Sequence, residues 1–162
     1  MDVKQVLRTN FSLQEFLVGA YLADLSSTEW FARPVPGVNH IAWQVGHLIT
    51  AEWSLIEKIL PGKMEPLPEG FAQKHSKETS GVDDPALFLT KEEYLALAKQ
   101  VRQNTLRLME AMTPAELDLP VTNIMPLVKT NSDLFLFIGT HWIMHSGQWA
   151  VFRRAWGRPP LF

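Results

Sequence analysis

Apolar residues recur at helical spacing from the start of the chain. Val6, Leu7, Phe11, Leu13, Phe16, Leu17, Ala20, Tyr21 and Leu25 follow Asp2, a residue suited to cap a helix N-terminus. The pattern predicts a first helix from about Val3 to Asp24, stopped at Leu25-Ser26-Ser27. Ser27 and Thr28 can open a short helical turn through Trp30 and Phe31, which Pro34 and Pro36 must end. A second long helix is expected from near Asn39, again a capping residue, through HIAWQVGHLITAEWSLIEKIL to Pro61-Gly62, about 33 Å at 1.5 Å per residue. It is apolar on most sides, which suits a helix in the middle of a bundle and makes each polar residue on it worth explaining.

Between Pro61 and Pro85 the chain turns to Pro, Gly, Lys, Glu, Ser and Asp, the composition of a long loop that is either functional or mobile. Thr90-Lys91-Glu92-Glu93 matches a capping box and opens a third helix to about Met112. Thr113-Pro114-Ala115-Glu116 repeats that logic, but Pro120 and Pro126 limit it to a short turn. The last long helix is expected from near Ser132 to Gly157, with Pro159 and Pro160 beyond. Four long helices with no convincing strand predict an all-α bundle, and the long loop allows the second and third helices to run parallel.

At 162 residues, 46% hydrophobic and 20% charged, the chain has the makings of a single folded domain over 1–162. Its net charge of -2 gives no general pull toward phosphate backbones or anionic lipid, so no nucleic-acid partner is expected. No stretch approaches the roughly 20 apolar residues of a spanning helix. Without a basic segment leading into an apolar run at the N-terminus, a cytoplasmic location is the expectation. The absence of cysteine removes disulfides, thiolate metal sites and cysteine nucleophiles, so any metal must be held by His, Asp or Glu.

Three of the five histidines form a pattern. His141 and His145 lie four residues apart on the last helix and project from one face, a chelating geometry for a borderline divalent metal such as Zn2+ or Ni2+. His47 sits amid Val45, Leu48 and Ile49 on the apolar second helix, where its ring needs either a ligand or a hydrogen bond across the bundle. If the two helices are neighbours, three imidazoles converge and leave positions open for water or substrate. The residue after His141 is Trp142, where a zinc protease carries glutamate, and no GxSxG, P-loop or GxGxxG is present. His40 reads as a capping contact and His75 as a solvated loop residue. Trp43, one turn before His47, can line the pocket, and Gln148 can orient a bound water or a ligand histidine. Trp142, Trp149 and Trp156 recur every seven positions, which reads as a helix-helix seam. Arg153, Arg154 and Arg158 suit the negative end of the last helix dipole.

VNHIAWQVGHLITAEW followed much later by HWIMHSGQWAVFRRAWG resembles the DinB family of helical-bundle proteins, close in fold to the YfiT-like metal-dependent hydrolases. The matching positions are Asn39, Trp43, His47 and Leu48, then His141, His145, Gly147, Gln148, Arg153 or Arg154, and Gly157. The resemblance implies an up-down-down-up four-helix bundle, with the Pro61 to Pro85 loop making the crossover between helices 2 and 3. It also implies a divalent metal on His47, His141 and His145, with no residue assigned a catalytic role, and a homodimer. Characterised relatives include transferases and an isomerase that use a low-molecular-weight thiol.

Two mechanisms suit such a site. In one, the metal lowers the pKa of a small thiol cofactor that attacks an electrophilic small-molecule substrate. In the other, metal-activated water hydrolyses the substrate. Hydrolysis needs a carboxylate base nearby, and Glu52, five residues and about 140° around the helix from His47, is poorly placed. Thiol transfer therefore ranks first, then hydrolysis, with a non-enzymatic metal-binding or dimeric stress-related bundle as the third reading.

Overall fold

The computed structural model describes residues 2–162. Asp2 accepts a hydrogen bond from the Lys4 backbone N–H (3.0 Å) and caps α1, Val3–Leu22. The inward stripe of α1 is Leu7, Phe11, Gln14, Val18 and Leu22, all within one turn of the next. A Ser26/Glu29 capping box starts α2, Ser27–Phe31. The next helix, α3, spans Ile41–Ile59, and its cap is His40 rather than the expected Asn39: the His40 Nδ1 accepts from Trp43 N at 3.0 Å. Then come α4, Phe71–Lys74, and α5, Lys91–Ala111, which opens on the Thr90/Glu93 box. The short α6, Pro114–Leu117, precedes α7, Asn131–Ala155, which Thr130 and Asp133 cap. Gly157 takes the left-handed conformation (φ 73°) that a residue just past a helix end needs.

Among the described residues there is no β-strand, only an isolated bridge between Pro120 and Thr130, and no helix is long and apolar enough to cross a membrane. Helix α1 lies against α7, α7 against α3, and α3 against α5, while α2 and α4 pack on α3. Phe11, Trp30, Ile49, Ile56, Tyr94, Phe135, Trp149 and Phe152 fill the space between them. The tryptophan seam faces this interior. Trp142 and Trp149 are buried and donate their indole N–H groups to Glu52 Oε2 (3.0 Å) and Gln44 Oε1 (2.9 Å), both on α3. The arginines at the end of α7 do more than complement a dipole. Arg153 and Arg158 pair with Asp24, and Arg158 also with Glu29 (2.8 Å), so they tie the C-terminus to the α1–α2 connection; Arg154 is exposed.

The hydrophilic segment between α3 and α5 is ordered into α4 and two 3-10 turns, Lys77–Thr79 and Pro85–Leu87. His75, expected in solvent, is only 2% exposed. Its Nδ1–H donates to Phe71 O (2.7 Å), which leaves Nε2 to accept from the buried Tyr94 hydroxyl (2.6 Å). Composition misled here because two hydrogen bonds satisfy the ring where no surrounding sequence signals a core. The strap formed by residues 75–82 is held to the bundle at several points. Arg33 donates to Ser80 O (2.7 Å) and Val82 O (3.3 Å), and His40 Nε2–H donates to Val82 O (3.1 Å).

Gly46 is what lets His75 lie on α3, since a Cβ there would overlap the Cδ2 and Nε2 atoms of the imidazole. A Gly46→Ala change ordinarily gains about 1 kcal/mol of helix propensity. Here it must expel His75 and orphan the Tyr94 hydroxyl, a loss of about 2–4 kcal/mol. The expected outcome is net destabilisation of about 1–3 kcal/mol in urea denaturation, whereas in a His75→Ala background, where the imidazole is already gone, the same Gly46→Ala change should cost nothing further. A stabilised Gly46→Ala protein would show that His75 does not depend on that glycine.

Candidate metal centre

Helix periodicity places His141 and His145 on one side of α7, and the packing of α7 on α3 brings His47 to them. Ring centroids are 5.2 Å apart for His47 and His141, 5.6 Å for His47 and His145, and 5.1 Å for His141 and His145. One nitrogen from each ring lies within 4.8 Å of the other two. All three rings are half-buried.

The rings are held rather than loose. Trp43 stacks on His47 at 5.2 Å with the planes 4° apart, and Phe137 stacks on His141 at 5.6 Å and 7°. His145 Nδ1 faces Gln44 Oε1 at 3.0 Å. An amide oxygen only accepts, so Nδ1 carries the proton and Nε2 keeps its lone pair for the cluster. Gln44 is itself fixed by the Trp149 indole and by its own donation to Asn39 O (2.5 Å).

Burial pushes all three imidazoles toward the neutral form. His141 and His145 are lowered to about 4, by loss of water first and then by their neighbouring histidines. His47 is lowered by burial and, secondarily, by the charge of Lys77. Neutral imidazoles with unshared nitrogen pairs are the form that binds a metal, and no proton need be removed near neutral pH. The donor set therefore fits a divalent ion such as Zn2+ or Ni2+.

Trp43 lies at the site as the spacing suggested, and its indole N–H donates to Thr79 Oγ1 (3.2 Å) on the strap. Gln148 is exposed on α7, and the amide that meets His145 is that of Gln44. Position 44 falls three residues before His47, and a polar amide on so apolar a helix was the available signal. Phe137, one turn before His141, carried none beyond ordinary core periodicity. Glu52 is engaged elsewhere: its carboxylate accepts from Arg102 Nε (2.9 Å), Arg102 Nη2 (2.7 Å) and the Trp142 indole.

An all-helical chain that gathers three neutral histidines from α3 and α7 has the makings of a small helical metalloprotein. The chain belongs to the DinB superfamily, whose sequence profile matches residues 17–149, a span that includes all three histidines. It is also similar in fold to a conserved protein of Enterococcus faecalis solved by crystallography, with a TM-score of 0.60 and 17% identity over 96% of this chain and 97% of that one. No curated protein matches the sequence.

Proposed function

We propose that this protein is a metal-dependent S-transferase, in which His47, His141 and His145 hold a divalent metal and a small thiol is the nucleophile. The connectivity that goes with this reading is an up-down-down-up four-helix bundle of α1, α3, α5 and α7, with the strap segment as crossover. The observation that carries it is a cluster of three neutral imidazoles without a carboxylate among the described residues. When bound, the metal supplies the positive charge that lowers the pKa of the thiol and holds its sulfur as a nucleophile. The chain contributes the three ligands, the Gln44 contact that fixes the His145 tautomer, and the Trp43 and Phe137 faces that keep water from the rings.

Hydrolysis is less well supported, because Glu52, the carboxylate next along α3, is bound to Arg102 and Trp142 and is unavailable as a base. A homodimer belongs to the same reading. Its support is the exposed apolar side chains Val6, Leu13 and Phe16 on α1 and Met144 and Val151 on α7, two helices that pack together.

The test is thioether formation between a small thiol and an aryl chloride. The S–C bond forms, the C–Cl bond breaks, chloride leaves and the thiol proton goes to solvent. Turnover above the uncatalysed rate, abolished by a chelator and restored by Zn2+ or Ni2+, is the expected result. Metal-bound protein that is inert with a panel of small thiols would leave the non-enzymatic reading, and thiol-independent hydrolysis of an ester would favour the second.

A further inference from the structure

The charge around the three imidazoles is one-sided. No carboxylate joins the cluster among the described residues, and Glu52 is already neutralised by Arg102. The His47 imidazole is lowered first by burial and then by the charge of Lys77, which puts that residue within electrostatic reach of the cluster. Its position follows from how the strap is tied down. On one side of Lys77, His75 rests on Gly46, the residue before His47; on the other, Thr79 Oγ1 accepts from Trp43, whose indole is stacked on His47. Lys77 opens the 3-10 turn between these two ties. It is exposed and makes no ion pair with a carboxylate of the described residues; its neighbour Glu78, held low first by the Ser76 hydroxyl, is also lowered by the Lys77 charge.

We propose that the site accepts a small thiol that carries a second, negatively charged group, and that Lys77 binds that group. The inference rests on the metal reading above and names the ligand class for the same site. Three neutral ligands leave both positive charges of a divalent ion uncompensated, and a thiolate cancels one of them. The remaining positive field, with Lys77 on the strap between its two ties to α3, favours a carboxylate at the far end of the thiol over a neutral group. Lys77 is a positioning residue for the ligand and touches no reacting atom.

Co2+ is the probe, because thiolate coordination to it gives a strong near-ultraviolet band that reports binding without turnover. Co2+-loaded protein is titrated with 3-mercaptopropionate and with the neutral 2-mercaptoethanol. The ratio of the two affinities is then compared among wild type, Lys77→Met, Lys77→Arg and Lys77→Glu. An exposed ion pair predicts a carboxylate preference that Lys77→Met lowers by about fivefold, that Lys77→Arg keeps, and that added salt erodes. In Lys77→Glu the preference should fall below that of Lys77→Met. An unchanged ratio in Lys77→Met while Co2+ still binds overturns the inference alone. Failure of the wild type to bind Co2+ overturns the metal reading and this inference with it.

Discussion

Wild-type protein loaded with Zn2+ or Ni2+ and freed of excess metal is expected to carry about one equivalent, and His47→Ala is expected to carry almost none. Loss of a group that merely orients a ligand costs 10–100-fold in affinity, so loss of one of three ligands should exceed about 100-fold. The His141→Ala/His145→Ala double variant should behave the same way. Unfolding should not confound the three substitutions, because the rings are half-buried and lie outside the buried core that holds the helices together. Thermal denaturation supplies a second readout: at a free metal concentration 100 times Kd, binding stabilises the native state by about 2.7 kcal/mol, and that rise in Tm should vanish in both variants. Gln44→Ala should weaken the metal by about 10–100-fold without abolishing it, since His145 keeps its nitrogen and loses only its fixed tautomer. Equal metal content in wild type and variants, by elemental analysis of untagged protein, would sink the tri-histidine site.

The long helices and the three site histidines were legible because both rest on local rules. Capping residues followed by helical periodicity marked α1, α5 and α7 to within a few residues, and a four-residue spacing puts His141 and His145 on one face whatever the rest of the chain does. Adding His47 needed the neighbouring of α3 and α7, which periodicity cannot supply and the family resemblance did. What was not legible depends on contacts across the chain. Gln148 and Gln44 are equally plausible as amides near a histidine, and only packing decides that Gln44 meets His145 while Gln148 faces solvent. The burial of His75 was hidden for the same reason: its partner Tyr94 is 19 residues away, and the space it occupies exists because residue 46 has no side chain.

Arg102→Met should destabilise the protein by about 3–5 kcal/mol, the cost of leaving a partner charge buried and unpaired. The guanidinium is 5% exposed, meets both oxygens of Glu52, donates to Gln14 and lies 4.4 Å over the Phe11 ring, while Glu52 is itself 2% exposed. For a domain whose whole stability is on the order of 5–15 kcal/mol, such a loss shifts the urea midpoint strongly. Exchanging the pair together, as Arg102→Met with Glu52→Leu, should cost less than Arg102→Met alone, because apolar side chains can replace a buried ion pair nearly neutrally. It will not return fully to wild type, since the Trp142 indole N–H then loses its acceptor at about 1–3 kcal/mol. The consequence reaches the metal centre. Glu52 on α3 binds Arg102 of α5 and Trp142 of α7 at once, and Trp142 is the neighbour of His141. The carboxylate thus sets the register between the helix that carries His47 and the helix that carries His141 and His145. Arg102→Met should therefore also weaken metal binding in protein that is still folded, although no atom of Arg102 belongs to the cluster. A double variant less stable than Arg102→Met alone would show that the ion pair contributes net stability instead of trading evenly with a packed apolar pair.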